Sequence, residues 1–128
     1  MKLFNRLKRD DRGATAVETA FALPIFIIML WAMIQFGLMF RAMAGIQHAL
    51  GEGARLATIF PRPTDAAIKA RISAKVYGIQ PGVFTVPNPV EGTGYLDLSV
   101  NYVQPTSLLL LPGPTINVTR TKRVWIAS

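Results

Sequence analysis

An α+β chain built on one long N-terminal membrane helix is predicted by three features of the sequence. Residues 19–40 carry no charge, and Thr19 and Gln35 are the only polar side chains among them. Residues 41–60 follow without a stop signal and repeat apolar side chains at helical spacing. Past residue 82, apolar and polar residues alternate in short runs set off by proline and glycine. The expected architecture is a transmembrane helix continuing into an amphipathic stem, then a small C-terminal domain of one helix and a short antiparallel sheet.

The apolar run has 22 residues. As a helix it measures about 33 Å at about 1.5 Å per residue, enough to cross a hydrocarbon core of about 30 Å. It accounts for a composition that is 51% hydrophobic and only 16% charged over 128 residues, a length that suits one domain and an anchor but not two domains. Lys2, Arg6, Lys8, Arg9 and Arg12 precede the run and within residues 1–13 are opposed only by Asp10 and Asp11, so those thirteen residues hold +3 of the formal charge of +7. Positive charge gathered before a spanning helix keeps that flank in the cytoplasm, which predicts a single pass with the N-terminus inside and the C-terminus outside.

The chain divides into a basic leader over 1–13, a membrane helix and stem over 14–60, and a small extracytoplasmic α+β unit over 61–128, entered through Pro61-Arg62-Pro63. Pro24 removes a backbone donor inside the apolar helix and is a candidate kink, although proline is also commoner in membrane helices than in soluble ones. In the stem, Met43, Ile46, Leu50, Ala57 and Phe60 share a stripe that Arg41, His48, Glu52 and Arg55 avoid. His48, Glu52 and Arg55 are spaced to meet on the exposed side. Gly51 and Gly53 mark either close approach of another backbone or a soft helix.

A second helix starts at Thr64 or Asp65, buries Ile68, Ile72 and Val76, and ends by Gly78. A short strand over 83–86 lies between Pro81-Gly82 and Pro87-Asn88-Pro89. Leu96, Leu98, Val100 and Tyr102 alternate with Asp97, Ser99 and Asn101 in the clearest strand. Residues 108–111 read as a buried strand or a greasy loop. Residues 115–126 are β-rich, with Ile116, Val118, Val124 and Ile126 on one parity. Arg120 and Lys122 share that parity, so this strand must bulge, bend or run past the core. The 65 residues after Pro63 would bury only about 60% of their unfolded surface alone, and docking on residues 41–60 would supply the missing cover.

The features that carry function converge at the start of the apolar helix. The leader ends in Arg12-Gly13, a small residue Ala14 follows, and a lone carboxylate, Glu18, sits four residues on. If a peptidase cuts after Gly13, Ala14 becomes a cationic N-terminus. A carboxylate in lipid is unfavourable by several kcal/mol unless paired or able to reach water. In a bundle of parallel helices, Glu18 of one subunit could pair with the Ala14 amine of its neighbour and set the axial register.

Arg12-Gly13-Ala14-Thr15-Ala16-Val17-Glu18, together with Phe21-Ala22-Leu23-Pro24, resembles the TadE-like minor pilins of tight-adherence (Flp, type IVb-related) pilus systems. Glu52, Gly53, Ala54 and Arg55 resemble the Glu-Gly-Ala-Arg signature that follows the membrane helix in that family. The match covers residues 12–60, and the remainder is similar only in style. The resemblance implies a pilin-like fold, cleavage after Gly13 by a prepilin peptidase, and location in the bacterial inner membrane or a pilus. It also implies partnership with other pilin or pseudopilin subunits and the pilus assembly platform, in support of surface attachment.

Two other readings compete. Ala42-Met43-Ala44 reads as a signal-peptidase site, but secretory h-regions run only about 7–15 residues. An uncleaved single-span accessory subunit of a secretion complex is the main alternative. No enzyme is expected. His48 has no second ligand or nucleophile beside it, and the absence of cysteine excludes thiol chemistry and cysteine metal sites. No cofactor, metal or catalytic residue is assigned. Arg120, Lys122 and Arg123 suit anionic surfaces, lipid headgroups or nucleic acid, but no aromatic stacking row accompanies them, so they read as a solvated strand face. The lipid bilayer is the partner expected for the apolar helix, and nucleic acid is not expected.

Overall fold

Asp11–Ala57 forms one α-helix of 47 residues, α1, in a computed structural model that describes residues 11–108 and 111–126. The basic leader side chains Lys2, Arg6, Lys8 and Arg9 lie outside the described residues. Pro24 sits within the helix, which is long and apolar enough to cross a membrane, with a mean hydropathy of 2.2 in its apolar window. The stem ends at Ala57 and does not reach Phe60, whose side chain is 95% exposed. Thr58 Oγ1 donates to the Arg55 carbonyl at 2.9 Å, and Ile59 N–H takes the Leu56 carbonyl at 3.2 Å, tightening the last turn. Pro61 then biases residue 60 away from helix.

The second helix, α2 (Asp65–Lys75), starts where the sequence placed it, with Thr64 as N-cap accepting from Ala67 N–H at 3.3 Å. It ends earlier than Gly78 because Val76 turns to extended backbone. Gly78, at φ +70°, serves the turn that follows.

Four strands complete the chain: β1 (Val83–Thr85), β2 (Val90–Gly92), β3 (Tyr95–Leu108) and β4 (Leu111–Trp125). All pairings are antiparallel. The long β3 is central; β4 runs along one edge, while β1 and β2 pair with successive parts of β3 elsewhere. Of residues 108–111, left open between strand and loop, Leu108 pairs with Leu111 at the end of the β3–β4 hairpin, and 109 and 110 lie outside the described residues. A register shift at Pro105/Ser107 absorbs the proline, which has no N–H to give the ladder.

The core lies between the helices and one face of the sheet. Leu96, Leu98, Val100, Tyr102 and Gln104 alternate along β3 and are each at most 1% exposed. They meet Ala42, Ile46, Ala49, Leu50 and Ala57 of the stem and Ile68 and Ile72 of α2. The stem is therefore part of the domain core, and each large apolar side chain buried there contributes about 1.5–3 kcal/mol. Arg120 and Lys122 lie opposite Val100 and Leu98 on the core-facing parity, yet both are exposed. Of the three possibilities the sequence left for β4, the strand runs past the edge of the core there, and its two cations flank Gln47 and Leu50 of the stem.

Candidate functional site

Gly13, Ala14 and Glu18 all fall in the first turns of α1, and each is exposed. Ala14 and Glu18 are one turn apart on the same helical face. Among the described residues no ion pair reaches Glu18. A Cβ added at Gly13 would meet nothing within 4 Å, so this glycine is not required by packing within the chain. Every side chain from residue 13 to residue 30 is exposed. Among the described residues, the first half of the apolar helix is thus exposed throughout.

Cover begins at Trp31. The hairpin reaches down α1 to this level, where Trp31 Nε1 donates to the Ser107 carbonyl at 2.8 Å. One turn further on, Gln35 Nε2 lies 3.3 Å from Ser107 Oγ. Gln104 is fully buried and donates through Nε2 to the Gln35 carbonyl at 3.4 Å. Tyr102 donates to the Ile79 carbonyl at 2.9 Å and lies 3.1 Å from Gln104 Oε1. Burial pushes the Tyr102 phenol up, partly offset by the Gly82 N–H. A line of polar contacts therefore ties the second half of the apolar run to the sheet. Gln35 was legible as the one interior polar residue of that run, but its partner, Ser107, is 72 residues away and had no signal in the sequence.

The Glu-Gly-Ala-Arg segment seats α2 on the stem. Glu52 accepts from Arg71 of α2 at 2.8 Å and lies 3.5 Å from Arg55. A Cβ on Gly53 would overlap the Ile72 side chain, with Ile72 Cδ1 at 2.8 Å. Ala54 is buried in the core. Arg55 is the exposed member, and His48 stacks at 5.7 Å on Tyr77 instead of joining Glu52. Gly53 is thus a site of close approach, whereas Gly51 faces open space apart from Lys122 Nζ at 3.9 Å. The tightest approach is at Gly45, which the sequence did not single out: a Cβ there would run into the backbone carbonyl of Tyr77.

The hydrogen bond from Arg71 holds the Glu52 carboxyl below its ordinary value of 4.5; desolvation opposes the shift, and the Arg55 charge adds to it. Because the folded value is the lower one, the contribution to stability is complete above the unfolded value and is lost as pH falls through the folded one. Glu52→Gln is therefore expected to lower the melting temperature at neutral pH, with the gap to the parent chain closing in acid. Thermal melts of the detergent-solubilised chain at stepped pH measure this. Asp97 behaves alike under Arg123, which holds it through two contacts of 2.8 Å and lies 3.9 Å above the Tyr95 ring. Arg123 is thereby committed within the sheet, whereas no ion pair among the described residues reaches Arg120 or Lys122.

No curated protein and no solved structure matches the chain. Residues 13–55 match the family model described as TadE-like protein. The matched segment starts at Gly13, covers the bare helix and the stem, and ends on Arg55 of the α2-docking segment. Over its membrane helix and stem, about a third of its length, the chain is similar to the TadE-like proteins of the tight-adherence pilus system.

Proposed function

We propose that the chain is a non-enzymatic minor pilin or pseudopilin that supports assembly of a tight-adherence pilus used for surface attachment. It is inserted by α1 in the bacterial inner membrane with its N-terminus in the cytoplasm and its small domain outside. A prepilin peptidase cuts between Gly13 and Ala14, and the new amine pairs with Glu18 in a bundle with other pilin or pseudopilin subunits delivered by the assembly platform. The observation that carries this reading is the bare half of α1. Residues 13–30 are exposed throughout, and among them the one carboxylate, Glu18, lies one turn after the Gly13–Ala14 bond. Such a surface suits lipid and other helices. The α2-docking segment supports the reading by making stem and domain one unit, so that whatever holds α1 also positions the domain.

The test is the N-terminal residue of the membrane-extracted protein, by intact mass and terminal peptide mapping, in cells with and without the prepilin peptidase. A start at Ala14 that requires the enzyme is expected. A start at Met1 in both strains would leave an uncleaved single-span accessory subunit, and a start at Gly45 would make the helix a discarded signal.

A further inference from the structure

We infer that the membrane surface on the domain's side lies at Trp31, not at Phe40, and that the end of the β3–β4 hairpin, at Leu111 and Pro112, rests in the boundary between lipid headgroups and acyl chains. This rests on the reading of α1 as a spanning helix and fixes where along it the bilayer sits. Because α1 is a single helix, height above the membrane follows from its rise. Trp31 and Phe40 are about 13 Å apart along the axis at about 1.5 Å per residue. The Trp31–Ser107 hydrogen bond of 2.8 Å puts the hairpin end level with Trp31.

If residues 19–40 filled the hydrocarbon, that end would stand near the bilayer centre. A two-stranded end with open edges leaves backbone N–H and C=O groups without partners there, which lipid does not tolerate. The buried Gln104 and the Gln35–Ser107 contacts would also lie at acyl depth. Residues 14–31 instead give about 27 Å of helix, close to a hydrocarbon core of about 30 Å. They coincide with the stretch that the domain leaves bare.

The hairpin is built for such a boundary. Residues 105–119 hold no charged side chain, and four consecutive leucines occupy 108–111. Leu111 is 64% exposed. The opposite end of the sheet carries Glu91, Asp97, Lys122 and Arg123. Trp31, with an apolar body and a bonded N–H, is the residue type that collects at membrane–water interfaces. The arrangement has a cost: Phe36 and Phe40, 58% and 70% exposed, then rise through the headgroup layer. That is where a parallel neighbouring subunit would pack.

The chain has no cysteine, so single-cysteine variants report depth cleanly. Leu23→Cys, Leu30→Cys, Leu111→Cys and Thr93→Cys all sit at exposed positions. Each full-length variant is labelled with an environment-sensitive fluorophore and reconstituted in phosphatidylcholine/phosphatidylglycerol vesicles. Quenchers are attached to lipid either near the headgroup or near the acyl end. The expected result is strongest deep quenching at Leu23 and blue-shifted emission lost to the shallow quencher at Leu30 and Leu111. Thr93 should show aqueous emission. Deepest quenching at Leu30 together with Leu111 would overturn the placement, as would a Leu111 label as aqueous as Thr93 while Leu23 stays in lipid. Aqueous emission at all four positions would remove the spanning reading itself.

Discussion

Gly45→Ala is expected to destabilise the folded chain by about 3 kcal/mol, the upper end of what overpacking costs. The added methyl meets the backbone of Tyr77, with the carbonyl carbon at 2.8 Å and the nitrogen at 3.2 Å. Backbone cannot rotate away as a side chain can, and residue 77 is held between the end of α2 and the turn at Gly78, where φ is +70°. Relief requires the α2–β1 connection to lift off the stem, which uncovers Ala42 and Ile46. A domain of this size has only about 5–10 kcal/mol to lose, so the variant should unfold at a markedly lower denaturant concentration. Gly53→Ala should cost less, because its obstacle is the branched end of Ile72. Gly37→Ala, with nothing within 4 Å of the new carbon, should cost nothing and serves as the control. Denaturant titration of the detergent-solubilised chain, followed by tryptophan fluorescence, gives all three. A Gly45→Ala chain as stable as Gly37→Ala would mean that residue 77 does not pack on the stem.

The contrast among these glycines shows what a sequence discloses. Gly51 and Gly53 drew attention because two glycines within three residues weaken a helix, yet only Gly53 is needed for close approach. Gly45 lies among small residues whose pattern looks like ordinary membrane helix, and its obstacle is 32 positions away in the chain. Periodicity found the buried faces of the stem, of α2 and of β3, since burial on one face imposes a period of 3.6 or 2 on the residues themselves. It overshot at Phe60, where apolar character continues after the helix has ended. Hydropathy does not divide residues 19–40, because an apolar side chain facing a sheet and one facing acyl chains look the same. The contacts of Trp31 and Gln35 with the sheet do divide that run. The candidate site divides along the same line. Glu18 stood out by residue type and position, and the Glu52–Arg55 segment by its resemblance to a family signature. Arg71, which gives Glu52 its role, was visible only as a cation that avoided the buried stripe of its own helix.

Glu18→Ala is expected to leave membrane insertion intact while weakening association with partner pilin subunits about 100-fold, roughly 3 kcal/mol. Insertion should survive because the change removes a charge whose transfer to the hydrocarbon is unfavourable by about 2.5–3.5 kcal/mol. On the proposed reading association should fail, because the amine that cleavage would leave at Ala14 then has no anion to meet in a low-dielectric bundle. With the bilayer edge at Trp31, Glu18 lies inside the hydrocarbon and not at its rim, so escape to water is harder and pairing matters more. Carbonate-resistant membrane fractionation checks insertion, and co-isolation of a tagged chain with other pilus subunits checks association. Glu18→Gln should fail as Glu18→Ala does, and Glu18→Asp should recover part of the loss. The amine supplies the sharper control. Blocking cleavage with Gly13→Leu adds a side chain where the chain itself has open space, so the domain should fold normally while no amine forms. In that background Glu18→Ala should have no further effect on association, because the pair is already missing one member. Additive losses in the double variant would mean that Glu18 acts on something other than the new N-terminus. A Glu18→Ala chain that assembles normally would reduce the carboxylate to a group that merely tolerates its place near the headgroups.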